Sequence, residues 1–255
     1  MTSWLHITRG SVIDGSGAPP RPDTDVLVRD DQIVAIGTSL ATEQFVPRGE
    51  PLVVLDAFGK TVMPGLIDTH CHVTFGESLT QEEQDFYTGA EIATLRAANN
   101  LTRILRSGVT SIAQPGGSYN IGVALRQGRS EGIVAGPRIA TSGRFIAVPN
   151  ALTDFYPTWV GQPPSAQSIT VNTVDELRGE IRAQVKNGAD FIKLCDSAGG
   201  QLQAFTAEEL KAGVEIAHQL HRPVTIHARG AAEVKASVRA GVDWIMHGNI
   251  LDHEA

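Results

Sequence analysis

Four histidines and one lysine carry the chemistry this sequence offers. His70 and His72 stand two apart in the run Pro64-Gly65-Leu66-Ile67-Asp68-Thr69-His70-Cys71-His72. On a strand, side-chain alternation puts both imidazoles on one face and Cys71 on the other. Two imidazoles at a strand's C-terminal end can chelate one transition metal; a pair of solvated surface histidines is the other reading. Lys193 stands among apolar residues in Asp190-Phe191-Ile192-Lys193-Leu194-Cys195. An amine there is costly unless it snorkels to solvent, pairs or binds something. If it stays buried its pKa falls, and a neutral amine can react with carbon dioxide to give a carbamate whose two oxygens can bridge two metal ions. His227 and His247 each end an apolar run, in Val224-Thr225-Ile226-His227-Ala228 and Trp244-Ile245-Met246-His247-Gly248. One such histidine is more often structural than ligating. Two on successive strands, after an HxH and a strand lysine, form a pattern.

The elements that must position these groups follow from periodicity. From about residue 61 to 255 the chain alternates between short apolar runs and helical stretches, which predicts a parallel sheet of βα units. The expected strands are 62–72, 109–114, 138–142, 191–195, 224–228 and 244–247. Thr173-Val174-Asp175-Glu176 and Thr206-Ala207-Glu208-Glu209 both match a capping box. Behind the first, Val174, Leu177, Ile181 and Val185 share one helix face; behind the second, Leu210, Val214 and Ala217 do. Ser107-Gly108, Asn187-Gly188 and Ala240-Gly241 repeat one helix-to-strand punctuation. Residues 144–173 follow the third strand without periodicity and are rich in Pro, Gln, Ser and Thr, so they read as a lid on the substrate side. Residues 1 to about 60 differ: strands are expected at 4–8, 25–29, 32–36 and 52–56, with turn chemistry between them. They predict a small β-sandwich-like N-terminal cap preceding the main domain.

Composition excludes several classes. The 255 residues carry a net charge of −7 and a pI of about 5.6, without a basic run, so nucleic acid and anionic membrane are not expected partners. The first ten residues lack the charged and apolar regions of a secretory signal. Two cysteines, Cys71 and Cys195, make no disulfide framework and fit packing positions in a reduced, cytoplasmic protein. A small-molecule substrate fits this profile, and self-association into a homo-oligomer stays open.

The order HxH, strand lysine, strand histidine, strand histidine resembles the amidohydrolase superfamily of metal-dependent hydrolases. The wording of 64–72, 107–117, 136–143, 188–200, 227–230 and 240–251 resembles its imidazolonepropionase-like and Xaa-Pro dipeptidase-like branch. The resemblance implies a TIM-like (β/α)-barrel that hydrolyses an amide-type C–N bond in a dipeptide, N-acyl amino acid or cyclic amide. It implies two divalent ions, zinc by prior: His70 and His72 on the more buried one, His227 and His247 on the more exposed one, carboxylated Lys193 bridging both. A hydroxide shared by ions about 4 Å apart would attack the polarised carbonyl. Asp68 is a candidate partner behind the ligands, or a turn residue. Arg229 is placed to meet a substrate carboxylate, or to form a surface salt bridge. His6, His218, His221 and His253 receive no role.

Two departures stand out. The superfamily closes eight strands and delivers a metal-binding, proton-relaying aspartate from the last; six strands are expected here, and Asp252 does not match that aspartate. On this reading the 255-residue chain is an incomplete barrel and a poor catalyst by itself, or a non-catalytic relative. Secondly, 144–151 lacks the Gly-Gly-His stretch that related dipeptidases carry near this point, which counts against a standard dipeptidase specificity.

Overall fold

The computed structural model describes residues 3–76 and 78–255. The chain divides into two units, Met1–Gly65 and Leu66–Ala255. The first is a five-stranded sheet of β1 (Trp4–Val12), β2 (Arg21–Arg29), β3 (Gln32–Gly37), β4 (Leu52–Asp56) and β5 (Thr61–Val62), ordered β3-β2-β1-β4 with β5 beside β1. Strand β1 runs further than 4–8 because it bends between Ile7 and Gly10, where Arg9 takes φ +60° and the ladder shifts register before continuing. A Cβ on Gly10 would lie 2.6 Å from Val62 Cγ2, so glycine is required. The turn after β1 is built by Asp14, whose Oδ1 accepts from the Ser16 N–H at 2.9 Å. Asp25 organises the interior: it accepts from the N–H groups of Arg9 (2.9 Å) and Leu40 (3.0 Å) and meets His6 Nε2 at 3.1 Å. Among the described residues the unit's strands form one sheet.

The second unit alternates strand and helix. Its elements are β6 (Leu66–Asp68), α1 (Ala90–Arg106), β7 (Val109–Gln114), α2 (Ile121–Ser130), β8 (Arg138–Thr141), β9 (Phe145–Ala147), β10 (Ser168–Thr170), α3 (Val174–Lys186), β11 (Ile192–Cys195), α4 (Ala207–Gln219), β12 (Val224–Gly230), α5 (Ala231–Ala240) and β13 (Trp244–Ile250). Every strand pair in it is parallel, in the orders β6-β7-β8 and β10-β9-β11-β12-β13. Strands β8 and β9 are two halves of one path: β8 pairs with β7, β9 with β11. The path breaks at Gly143, which has φ +75° and whose Cβ would sit 2.3 Å from Gln184 Oε1. Leu177, Ile181, Leu194, Leu210 and Ile226 are fully buried between sheet and helices, and Leu101, Ile112 and Leu125 form a second cluster under β7 and β8. Burying each such side chain contributes about 1.5–3 kcal/mol.

The Thr206–Glu209 box is reciprocal: Thr206 Oγ1 accepts from the Glu209 N–H, and Glu209 Oε2 accepts from the Thr206 N–H. In the Thr173 box Glu176 instead reaches past the cap to the Asn172 N–H at 2.8 Å. Two expectations need correction. The run 62–72 is not one strand: Thr61–Val62 pairs with β1, the Pro64-Gly65 step interrupts the ladder because proline cannot donate, and β6 ends at Asp68, before either histidine. Residues 144–173 are not simply a lid, since they hold β9, buried throughout, and β10 in parallel register with it. No helix among the described residues is long and apolar enough to cross a membrane.

Candidate metal centre

Lys193 lies in the middle of β11, 1% exposed, although its neighbours on the strand are Ile192 and Leu194. Its Nζ packs 2.8 Å from Met246 Sδ, a contact too weak to solvate an ammonium. Burial therefore pulls the amine's pKa down to about 8.

Four imidazoles stand within electrostatic reach of that amine. His70 and His72 come from the segment just after β6, held to the neighbouring strand by the Cys71 N–H to Ala113 O bond at 3.0 Å. His227 comes from β12 and His247 from β13. Ring centroids lie 5.1 Å apart for His70 and His72, 5.0 Å for His70 and His247, and 4.4 Å for His227 and His247. Burial first, and then mainly Lys193 and the other rings, lowers the pKa of His70 and His72 to about 4 and of His227 to about 3; His247 shifts the same way. All four are neutral imidazoles at physiological pH, the form that ligates metals. His247 occupies φ +82°, a conformation rare outside glycine and concentrated at functional sites.

Several observations test whether these groups suit metal ions. His72 Nδ1 donates to Gly116 O at 2.9 Å, which fixes the tautomer and leaves its Nε2 lone pair free. That Nε2 lies 3.1 Å from His70 Nε2. Two nitrogens on one tetrahedral zinc, each at about 2.0–2.1 Å, would stand about 3.3 Å apart. His227 Nε2 is buried without a hydrogen-bond partner, an orphan a cation would satisfy. Among the described residues no three His, Cys, Asp or Glu side chains surround a single point. The Nε2 atoms of His70 and His72 are thus spaced as two ligands of one ion would be, and the rings of His227 and His247 stand beside them.

The imidazoles line a cavity of about 560 Å³ with Phe75, Phe145, Leu152, Phe155 and Arg229. Lys193 is not on its wall but packed beneath. Arg229 leaves β12 with its backbone N–H held by Glu233 Oε2 at 2.6 Å; among the described residues its guanidinium has no ion pair, and its Nε is buried without a partner. Among the described residues the surface salt bridge left open for it by the sequence is not formed. Asp68 reaches no ring nitrogen. Its Oδ1 accepts from the His70 N–H at 2.9 Å, so it braces the turn that carries His70. His6 pairs with Asp25 and His218 with Asp243, and neither histidine is among the residues lining the cavity.

Sequence reading missed Phe75, stacked on His72 at 4.4 Å with 13° between planes, and Phe145, whose ring lies 5.3 Å from it. The signal for the second was Pro115-Gly116-Gly117. Gly116 has φ +118°, and a Cβ there would enter the Phe145 ring at 2.4 Å.

The chain is 26% identical to ochratoxinase of Aspergillus niger over 97% of its own length and 55% of that protein's. It is 22% identical to imidazolonepropionase of Psychrobacter cryohalolentis over 89% of the chain and 56% of the relative. Among solved structures, a Xaa-Pro dipeptidase with bound methionine superposes with a TM-score of 0.83 at 27% identity, covering 99% of this chain and 63% of that one. The chain thus spans a little over half the length of the curated relatives it matches. With residues 61–254 matching the model of the amidohydrolase family, the chain belongs to that family.

Proposed function

We propose that this chain carries the metal site of a hydrolase that cleaves an amide-type C–N bond in a small molecule bearing a carboxylate. The observation that carries the reading is a buried, partner-poor lysine amine beneath four neutral imidazoles drawn from successive βα units. On this reading His70 and His72 hold one divalent ion, zinc by chemical preference, and His227 and His247 the other, with Lys193 between them. The neutral fraction of the Lys193 amine adds to carbon dioxide, forming an N–C bond and releasing one proton, and the resulting carbamate would offer two oxygens that share one negative charge. Bound metal ions would supply Lewis-acid activation of water and of the scissile carbonyl.

The protein's own groups do the rest. Arg229 receives the substrate carboxylate in a two-pronged ion pair. The rings of Phe75 and Phe145 exclude water from the His72 side of the reacting carbonyl. Gly116 O holds the His72 tautomer, and Asp68 holds the turn that aims His70. A non-catalytic role has less support, since all five of the expected metal-binding side chains are retained in the sequence.

The test is metal analysis of chain prepared with zinc and bicarbonate. About two ions per chain are expected from the two-metal arrangement, and loss of at least one in Lys193→Ala. Protein that stays metal-free under these conditions would overturn the assignment.

A further inference from the structure

Three helices of the second unit carry a glutamate three residues after the N-cap: Glu176, Glu209 and Glu233. The first is exposed and the second half-buried, but Glu233 of α5 is 0% exposed. Capping α5 needs one acceptor for the Gly230 N–H, and a cap returns less than the burial of a carboxylate costs. Capping alone therefore does not account for where Glu233 lies.

Its carboxylate joins two elements. Oε2 accepts from the N–H groups of Arg229 at 2.6 Å and Gly230 at 3.1 Å, at the end of β12. Oε1 accepts from the hydroxyl of Ser197, in the loop that follows β11. Ser197 Oγ in turn accepts from the Gly200 N–H at 3.0 Å. The loop thus folds back onto the β12–α5 turn, and the approach leaves no space for side chains. A Cβ on Gly230 would overlap Gly200 O, and one on Gly200, at φ +81°, would lie 2.8 Å from Gly230 N.

The two groups tethered in this way both bear on the site. Strands β11 and β12 are joined as far as the Asp196 N–H, which donates to His227 O at 3.0 Å. One residue further, the Ser197 backbone hydrogen-bonds the His227 ring, whose Nε2 has no partner. Arg229 acts electrostatically on both His227 and His247. Outer hydrogen bonds of this kind hold a ligand ring in one orientation and tautomer.

We infer that Glu233 is a positioning residue of the metal site: through Ser197 it holds the loop after β11 against the His227 ring, and through the Arg229 N–H it fixes the strand end from which that arginine reaches the cavity. This rests on the two-metal hydrolase reading and adds to it a residue outside the ligand set. The effect belongs to the ion of His227 and His247, not to that of His70 and His72.

The test measures zinc affinities of the full chain, supplied with zinc and bicarbonate, by competition with a chelator. Glu233→Gln keeps an oxygen for the α5 cap but cannot also accept from Ser197. It should weaken one ion by about 10–100-fold and leave the other unchanged, while the metal-free chain keeps its melting temperature within a few degrees. Ser197→Ala, which removes only the link to the loop, should give the same one-sided loss, and it carries the test if Glu233→Gln does not fold. In a His247→Ala background, where that ion is already lost, Glu233→Gln should change the remaining affinity no further. A metal-free readout accompanies these: nitrogen NMR shifts of the His227 imidazole should report one tautomer in wild type and a mixture in Ser197→Ala, while those of His72 stay fixed. Two ions held at wild-type strength in both variants, or both ions weakened alike, overturn the inference and leave the hydrolase reading standing. If the wild-type chain takes up no zinc, the hydrolase reading falls and the tautomers decide. A change at His227 but not at His72 upholds the inference, and no change at His227 refutes it.

Discussion

A lysine with 1% exposure must either keep its charge without solvent or give the proton up, and burial makes the second cheaper for Lys193 than for a solvated lysine. The stability consequence has a definite sign. With a folded pKa of about 8 against 10.5 in the unfolded chain, the unfolded state binds more protons between those values. Stability of metal-free protein therefore rises with pH across that window, by on the order of 3 kcal/mol. Urea titrations of metal-free chain at pH 8 and pH 10 should show the rise, and Lys193→Met, which keeps the bulk and removes the titration, should abolish it. An unchanged slope in Lys193→Met would place the effect elsewhere. The residue's identity was plain in the sequence. Its burial was not, because the same run also suits a lysine at a strand end reaching water.

At the scale of elements, helix boundaries were the most legible feature, because capping is local chemistry between residues three apart. Thr206 and Glu209 satisfy each other's backbone N–H groups, and the helix they open buries Leu210, Val214 and Ala217 against the sheet. Thr206→Ala should cost about 1 kcal/mol, lowering the melting temperature by a few degrees. Glu209→Gln, which keeps a side-chain acceptor for the cap, should cost less. No loss in either variant would show that the helix is held by packing alone. Strand boundaries were harder to read. The expected strand over 62–72 breaks at Pro64-Gly65, and the third strand's path breaks at Gly143. Both breaks depend on what lies across the ladder, a partner that periodicity does not name.

At the scale of the molecule, the exposed edges are apolar. Val54 on β4 is 60% exposed, Ile67 on β6 is 69% exposed, and both strands lie at an edge of their sheets among the described residues. Edge strands with exposed β-branched residues recruit other strands unless charged residues guard them. Sedimentation of the wild-type chain should show concentration-dependent association, and Val54→Lys combined with Ile67→Lys should shift it toward monomer. Association that persists at wild-type strength in the double variant would assign it to another surface.

The sequence by itself determined the order of the four histidines and the lysine proposed as donors, the alternation of strand and helix that presents them, and both helix caps. Each of these is written in residue type and short spacing. Tertiary structure alone decided that His70 and His72, lying beyond their strand, still converge with His227 and His247 above Lys193. It also decided that Arg229 lines the cavity without a counter-ion among the described residues, that Asp68 serves a backbone N–H, and that Phe75 and Phe145 flank His72. The physical reason is common to all four. A side chain's charge state and partners depend on the dielectric and donors around it, and periodicity names none of these neighbours, whether they lie two residues away, as Asp68 does from His70, or more than seventy, as Phe145 does from His72.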